Sequence, residues 1–129
     1  VGFLSQLHNR EFHIPIRLSD VLSFGLKGPL DLARLDALGL LGRAALDLSW
    51  NSASGGERQK ALITRVLLGE HDLLILDEPM NHLDLETRSH LWKILRNQIE
   101  GCGRGIIMVC HDRDPAIGEW ADALEVCLT

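Results

Sequence analysis

Ser52-Ala53-Ser54-Gly55-Gly56-Glu57-Arg58-Gln59, followed by Leu73-Leu74-Ile75-Leu76-Asp77-Glu78-Pro79, decides the fold of this chain. The first stretch reads as a helix start. Ser54 and Glu57 fit a capping box, in which each side chain takes the other residue's amide. A cap needs no glycine, and a glycine inside a helix costs about 0.5–1 kcal/mol against alanine. Gly55 and Gly56 therefore point to close approach, with a phosphate seated on bare amides at the positive helix end. The second stretch reads as a buried strand that brings two carboxylates to its C-terminal edge, where open α/β sheets place ligands. The plainer alternative is a strand end entering a proline turn. On the chemical reading, Asp77 helps hold Mg²⁺ through water and Glu78 orients or deprotonates an attacking water.

Working outward, Leu62 with Val66 and Ile63 with Leu67 lie four apart on one helix face that Gly69 ends. Asp84 caps a further helix with Leu91, Leu95 and Ile99 on its buried side and Gly101 after its end. Leu73–Leu76 and 106–110 are expected as strands buried on both faces. Upstream, Val1–Leu4 reads as a strand and 7–17 as loop. Ser19 is expected to cap a short helix stopped by Gly25, and Pro29 to open a second helix closed by Gly39. A third short helix is expected over 40–46. Residues 114–120 read as a short helix, and 124–128 as a half-exposed strand. Strands alternating with helices imply crossovers and a parallel sheet.

The 129 residues are 46% hydrophobic, which is ample for a core. A net charge of −5, with 5% aromatic residues and no Tyr, is a poor footprint for nucleic acid, so no direct nucleic-acid partner is expected. Cys102, Cys110 and Cys127 have no C-x-x-C spacing and read as reduced thiols of a cytosolic protein. No apolar run approaches the roughly 18 residues of a membrane span. His8, His13, His71, His82 and His90 lack metal-ligand spacing. Trp50, Trp92 and Trp120 read as packing residues, and Glu86, Arg88, Lys93 and Arg96 as a solvated helix face. His111 ends the strand beside Asp77 and Glu78, within reach of a γ-phosphate, although a lone histidine there is more often structural.

In order, these segments resemble the nucleotide-binding domain of ABC ATPases. Ala53-Ser54-Gly55-Gly56-Glu57 is similar to the family signature, and Leu73–Glu78 to its Walker B strand. Met80-Asn81-His82-Leu83-Asp84 resembles the D-loop, Cys110-His111-Asp112-Arg113 the switch-histidine segment, and Phe3-Leu4-Ser5-Gln6 the Q-loop. The resemblance covers almost the whole chain. It implies an α/β fold, a partial P-loop NTPase with a mostly parallel sheet, in which about 18–52 form a helical subdomain and 1–6 and 53–129 belong to the ATPase core. It implies ATP and Mg²⁺ as ligands and two cassettes facing head to tail. Glu78 and His111 would be catalytic, and Asp77 and Gln6 would act near the metal. Gln6, Ser54, Gly55, Gly56, Glu57 and Asp84 would contact nucleotide or convey its presence across the dimer.

The departures are Ala53 for the usual Leu, Met80 for Thr or Ser, Cys110 for Ser and Ser5 for Pro, none of which removes a reactive group. No G-x-x-x-x-G-K-[ST] phosphate loop occurs, and it is expected upstream of Val1. Without it the chain should bind ATP weakly and not hydrolyse it alone, and an exposed sheet edge or apolar face should favour self-association. The segment Phe12-His13-Ile14-Pro15-Ile16-Arg17-Leu18-Ser19-Asp20-Val21-Leu22 is similar to importers of metal ions and metal chelates. The expectation is thus the ATPase subunit of an importer, at the inner face of the cell membrane, bound to permease subunits through Gln6 and the helical subdomain. Asn81-His82-Leu83-Asp84-Leu85-Glu86-Thr87-Arg88 and His111-Asp112-Arg113 also resemble the translation-factor branch, so a soluble non-transport ABC protein of translation-factor or repair type is the alternative. A truncated interaction module without catalysis is the third reading.

Overall fold

The computed structural model describes residues 1–4 and 11–109. Three parallel strands, β1 (Gly2–Leu4), β2 (Leu73–Asp77) and β3 (Gly105–Val109), form a sheet in that order. The register pairs Leu4 with Leu76 and Leu76 with Met108, so the apolar residues of one face line up across the sheet. Helix α3 (Gly55–Leu68) packs on β1 and against the short helices α1 (Leu18–Ser23) and α2 (Leu32–Leu38). Helix α4 (Leu85–Glu100) joins β2 to β3. Leu4, Leu74 and Leu76 meet Ile63, Leu67, Leu91 and Leu95 in one core that also takes in Leu18, Leu22, Leu35 and Trp50.

The ends of α3 and α4 follow local rules. Ser54 and Asp84 are their N-caps, accepting from the amides of Glu57 and Thr87, and Gly101 follows α4 as expected. Gly39 closes α2 in the left-handed region at φ 67°.

Four expectations need correction. First, α1 is capped at Arg17, whose amide donates to Asp20, while Ser19 lies inside the helix. Second, α2 begins after Asp31, whose carboxylate accepts from the Arg34 amide, so Pro29 lies upstream of the helix. Third, the helix expected over 40–46 is a 3-10 turn at Arg43–Asp47, followed by another at Trp50–Ser52. Short elements such as these take their bounds from packing around Leu35 and Trp50 more than from propensity.

The fourth correction concerns burial. The strands are not covered on both faces among the described residues. Phe3 is 55%, Ile107 51% and Val109 42% exposed, because the core lies on the Leu4, Leu74 and Leu76 side of the sheet. Among the described residues this second face is apolar and partly open.

Candidate functional site

The site lies where the start of α3 meets the turn that leaves β2. The Ser54 hydroxyl accepts from the Glu57 amide at 3.1 Å, and the Glu57 carboxylate takes the Ser54 amide at 2.9 Å. These hydrogen bonds from Ser54 hold the Glu57 carboxyl below its usual range, with Lys60 adding to the effect. Glu57 is thus engaged in capping. The amides of Gly55 and Gly56, one turn too early for a helical acceptor, remain to receive an anion. Arg58 fixes the approach to this helix by donating to the carbonyls of Trp50 at 2.8 Å and Asn51 at 3.0 Å.

The two glycines also serve a contact within the chain. A Cβ on Gly56 would lie 3.0 Å from the His82 carbonyl, and one on Gly55 would lie 3.2 Å from His82 Nδ1. Close approach is required here by the turn at residues 78–84 as well as by any phosphate.

That turn is tightly specified. Glu78 sits at φ 46° and His82 at φ 64°, a left-handed backbone that side-chain-bearing residues adopt only when their surroundings enforce it. The Glu78 amide donates to Val109 at 2.7 Å, its carbonyl accepts from the Asn81 amide at 3.2 Å, and Asn81 Nδ2 donates to its carboxylate at 2.8 Å. Buried Gln59, on α3, donates through Nε2 to the carbonyls of Pro79 at 3.0 Å and Glu78 at 3.3 Å. Met80 and Leu83 anchor the turn in the core. Arg88 closes it by donating to the Leu83 carbonyl at 3.0 Å. Asp84 then caps α4. Its hydrogen bonds from Thr87 lower its carboxyl pKa, and Lys60, which acts on Glu57 too, contributes in the same direction.

Asp77, half-buried, is the last residue of β2, in register with Val109, and Glu78 follows it. A half-exposed carboxylate at a strand end, next to a second one, is a donor set suited to a hard, oxygen-seeking cation. No group of three or more possible metal-binding side chains occurs among the described residues, so other ligands would have to come from nucleotide, water or other residues.

The structure therefore brings Ser54, Gly55, Gly56, Glu57, Asp77, Glu78 and Asp84 to one end of the sheet. Gln6 and His111 lie outside the described residues, as do the helix and strand expected at 114–120 and 124–128. Gln59, Asn81 and His82 were given no role from the sequence. Asn81 had a local signal, an amide three residues past Glu78 in a turn. Gln59 had none, since its partners lie far along the chain.

The sequence pattern of the ABC transporter family matches residues 20–81. The zinc import ATP-binding protein ZnuC of Acinetobacter baylyi is 34% identical over 87% of this chain and 43% of its own length. The aliphatic sulfonates import ATP-binding protein SsuB 2 of Pseudomonas fluorescens is 34% identical over 78% of this chain and 38% of its own length. A dimeric ATP-binding cassette in a post-hydrolysis state, bound to ADP and Pi, superposes with a TM-score of 0.68 at 27% identity. That match covers 86% of this chain and 52% of the cassette. The chain thus spans less than half the length of these curated relatives. With signature, acidic strand end and parallel sheet in this order, the chain belongs to the ABC transporter ATP-binding family and has the fold of an ABC-type P-loop NTPase.

Proposed function

We propose that this chain is part of an ATP-hydrolysing subunit that powers an importer, with a divalent metal ion or its chelate as cargo. The observation that carries the reading is Glu78: a carboxylate at the end of a parallel strand, in a left-handed backbone held by hydrogen bonds from three sides. A general base needs that fixed orientation toward the water it activates. Asp77 would hold Mg²⁺, which when bound supplies Lewis-acid polarisation of phosphate oxygens. Glu78 would orient and deprotonate the attacking water. Gln6 would assist near the metal and His111 would donate to the γ-phosphate.

The amides of Gly55 and Gly56, beside the Ser54 hydroxyl, would meet the γ-phosphate of nucleotide held by a second cassette arranged head to tail. A dimeric cassette among the similar structures supports the pairing of two cassettes. Asp84 and its turn would signal across that interface. The helical elements over 18–52 and Gln6 would couple hydrolysis to permease subunits at the cytoplasmic face of the membrane. No helix among the described residues is long and apolar enough to cross a membrane. The cargo class follows the zinc importers among the relatives and the metal-importer likeness of residues 12–22.

The test is Glu78→Gln in the full-length protein. ATP binding should persist while phosphate release falls to background. Turnover at the normal rate would remove Glu78 from its role.

A further inference from the structure

Gln59 is 2% exposed and projects from the second turn of α3 toward the exit of β2. Its Nε2 donates to two consecutive carbonyls, Glu78 at 3.3 Å and Pro79 at 3.0 Å. Those two oxygens fix the orientation of the amide, because the flipped form would set Oε1 against them. In the observed orientation Oε1 is buried and accepts no hydrogen bond among the described residues. A buried acceptor without a donor is a cost that an apolar side chain of the same length would avoid. The amide therefore needs a reason other than packing, and among the described residues its hydrogen bonds lead to the backbone of Glu78 and Pro79.

We infer that Gln59 is a positioning residue for Glu78, tying the signature helix to the backbone of the general base. The inference rests on the proposed role of Glu78. Gln59 lies five residues after Ser54 on the same helix, so one rigid element carries both the phosphate-facing N-terminus and the clamp on Glu78. The close approach of His82 to Gly55 and Gly56 brings the same two segments together a second time. In a head-to-tail dimer, the N-terminus of α3 faces nucleotide held by the partner, while Glu78 faces nucleotide held by its own cassette. Gln59 then links two different nucleotide sites through a single side chain. Without its donated hydrogen bonds, the left-handed backbone at Glu78 loses one of its restraints and the carboxylate drifts from the water it must hold.

The experiment compares Gln59→Met and Gln59→Glu with the parent in the full-length ATPase, with Glu78→Gln as control. Met keeps the length and removes both the donor and the unsatisfied acceptor. Glu keeps the shape but cannot serve both carbonyls, because a carboxyl carries at most one proton to donate. The expected result is a kcat per folded molecule lowered on the order of ten- to a hundredfold in both variants, with KM for ATP within about twofold. A packing role would instead lower the melting temperature and leave kcat per folded molecule intact. That outcome overturns the inference, as does wild-type kcat in either variant while Glu78→Gln is inactive. If Gln59→Met does not fold, Gln59→Glu decides. Normal turnover in Glu78→Gln would defeat the underlying role of Glu78 instead, so the two failures are distinguishable.

Discussion

Asn81 Nδ2 donates to Glu78 Oε2 at 2.8 Å, and the Asn81 amide donates to the Glu78 carbonyl at 3.2 Å. One residue thus restrains both the carboxylate and the backbone of the proposed base. Charge-assisted hydrogen bonds of this kind contribute about 1.5–3 kcal/mol. Asn81→Ala keeps the backbone contact and deletes the other. Its kcat should fall roughly tenfold, equivalent to about 1.4 kcal/mol of barrier, with KM for ATP little changed. Steady-state ATPase assays on the full-length protein check this, and an unaltered kcat would show that the carboxylate needs no such restraint.

Gly55 and Gly56 should respond differently to alanine. At Gly56 the added methyl would meet a backbone carbonyl, that of His82, at 3.0 Å. At Gly55 it would meet a side chain, the His82 ring, at 3.2 Å, a less severe approach. Gly56→Ala should therefore destabilise by about 1 kcal/mol or more, while Gly55→Ala should be near neutral. Urea unfolding of the two variants measures the difference. Equal stabilities would mean that the turn yields freely.

The C-terminus of α3 is closed by two guanidinium groups. Arg34 donates to the carbonyls of Leu68 at 3.1 Å and Leu67 at 3.3 Å, and Arg104 donates to those of Leu67 at 3.0 Å and Gly69 at 2.6 Å. Cations also suit the negative helix end. Arg34→Ala and Arg104→Ala should each cost about 1–2 kcal/mol. Because they share the Leu67 carbonyl, the double variant should depart from additivity by about 0.5 kcal/mol or more. A double-mutant cycle by chemical denaturation tests this, with strict additivity as the contrary result.

Acid should loosen the caps of both long helices. The Glu57 and Asp84 carboxyls are held below their usual range by hydrogen bonds from Ser54 and Thr87. A depressed carboxyl pKa stabilises the fold above the unfolded-state value and loses that contribution as pH falls through the folded-state value. Stability should therefore be flat near neutrality and decline below roughly pH 4. Glu57→Gln should reduce the decline. Thermal melts between pH 3 and 7 would show it, and an identical acid slope in parent and variant would count against the role of the Glu57 carboxylate.

Elements set by neighbouring residues were legible in the sequence. The capping box at Ser54 and Glu57, the Asp84 cap and the Leu74–Leu76 run are local patterns, and they carried the signature and strand-end assignments. Gly69 shows the limit of such patterns. It does end α3, but with an extended backbone at φ −69°, ψ 154°, the carbonyls being capped by Arg34 and Arg104 from elsewhere. Its lack of a side chain serves the His71 ring, 2.7 Å from where a Cβ would stand. Gln59 and its carbonyl partners were illegible for a related reason: nothing in the local pattern separates a buried helix amide from an exposed one. The glycines at Gly55 and Gly56 were legible as a demand for close approach, but not that His82 makes part of that demand.

On the proposed function, Ser54 and Glu78 of one chain serve nucleotides in two different sites. The most direct measurement is ATP-driven dimerisation of full-length Glu78→Gln protein by light scattering, with and without Ser54→Arg. Glu78→Gln alone should form a dimer retaining one ATP per cassette. With Ser54→Arg added, the protein should remain a monomer that still binds ATP. Dimers forming equally well in the presence of Ser54→Arg would contradict it.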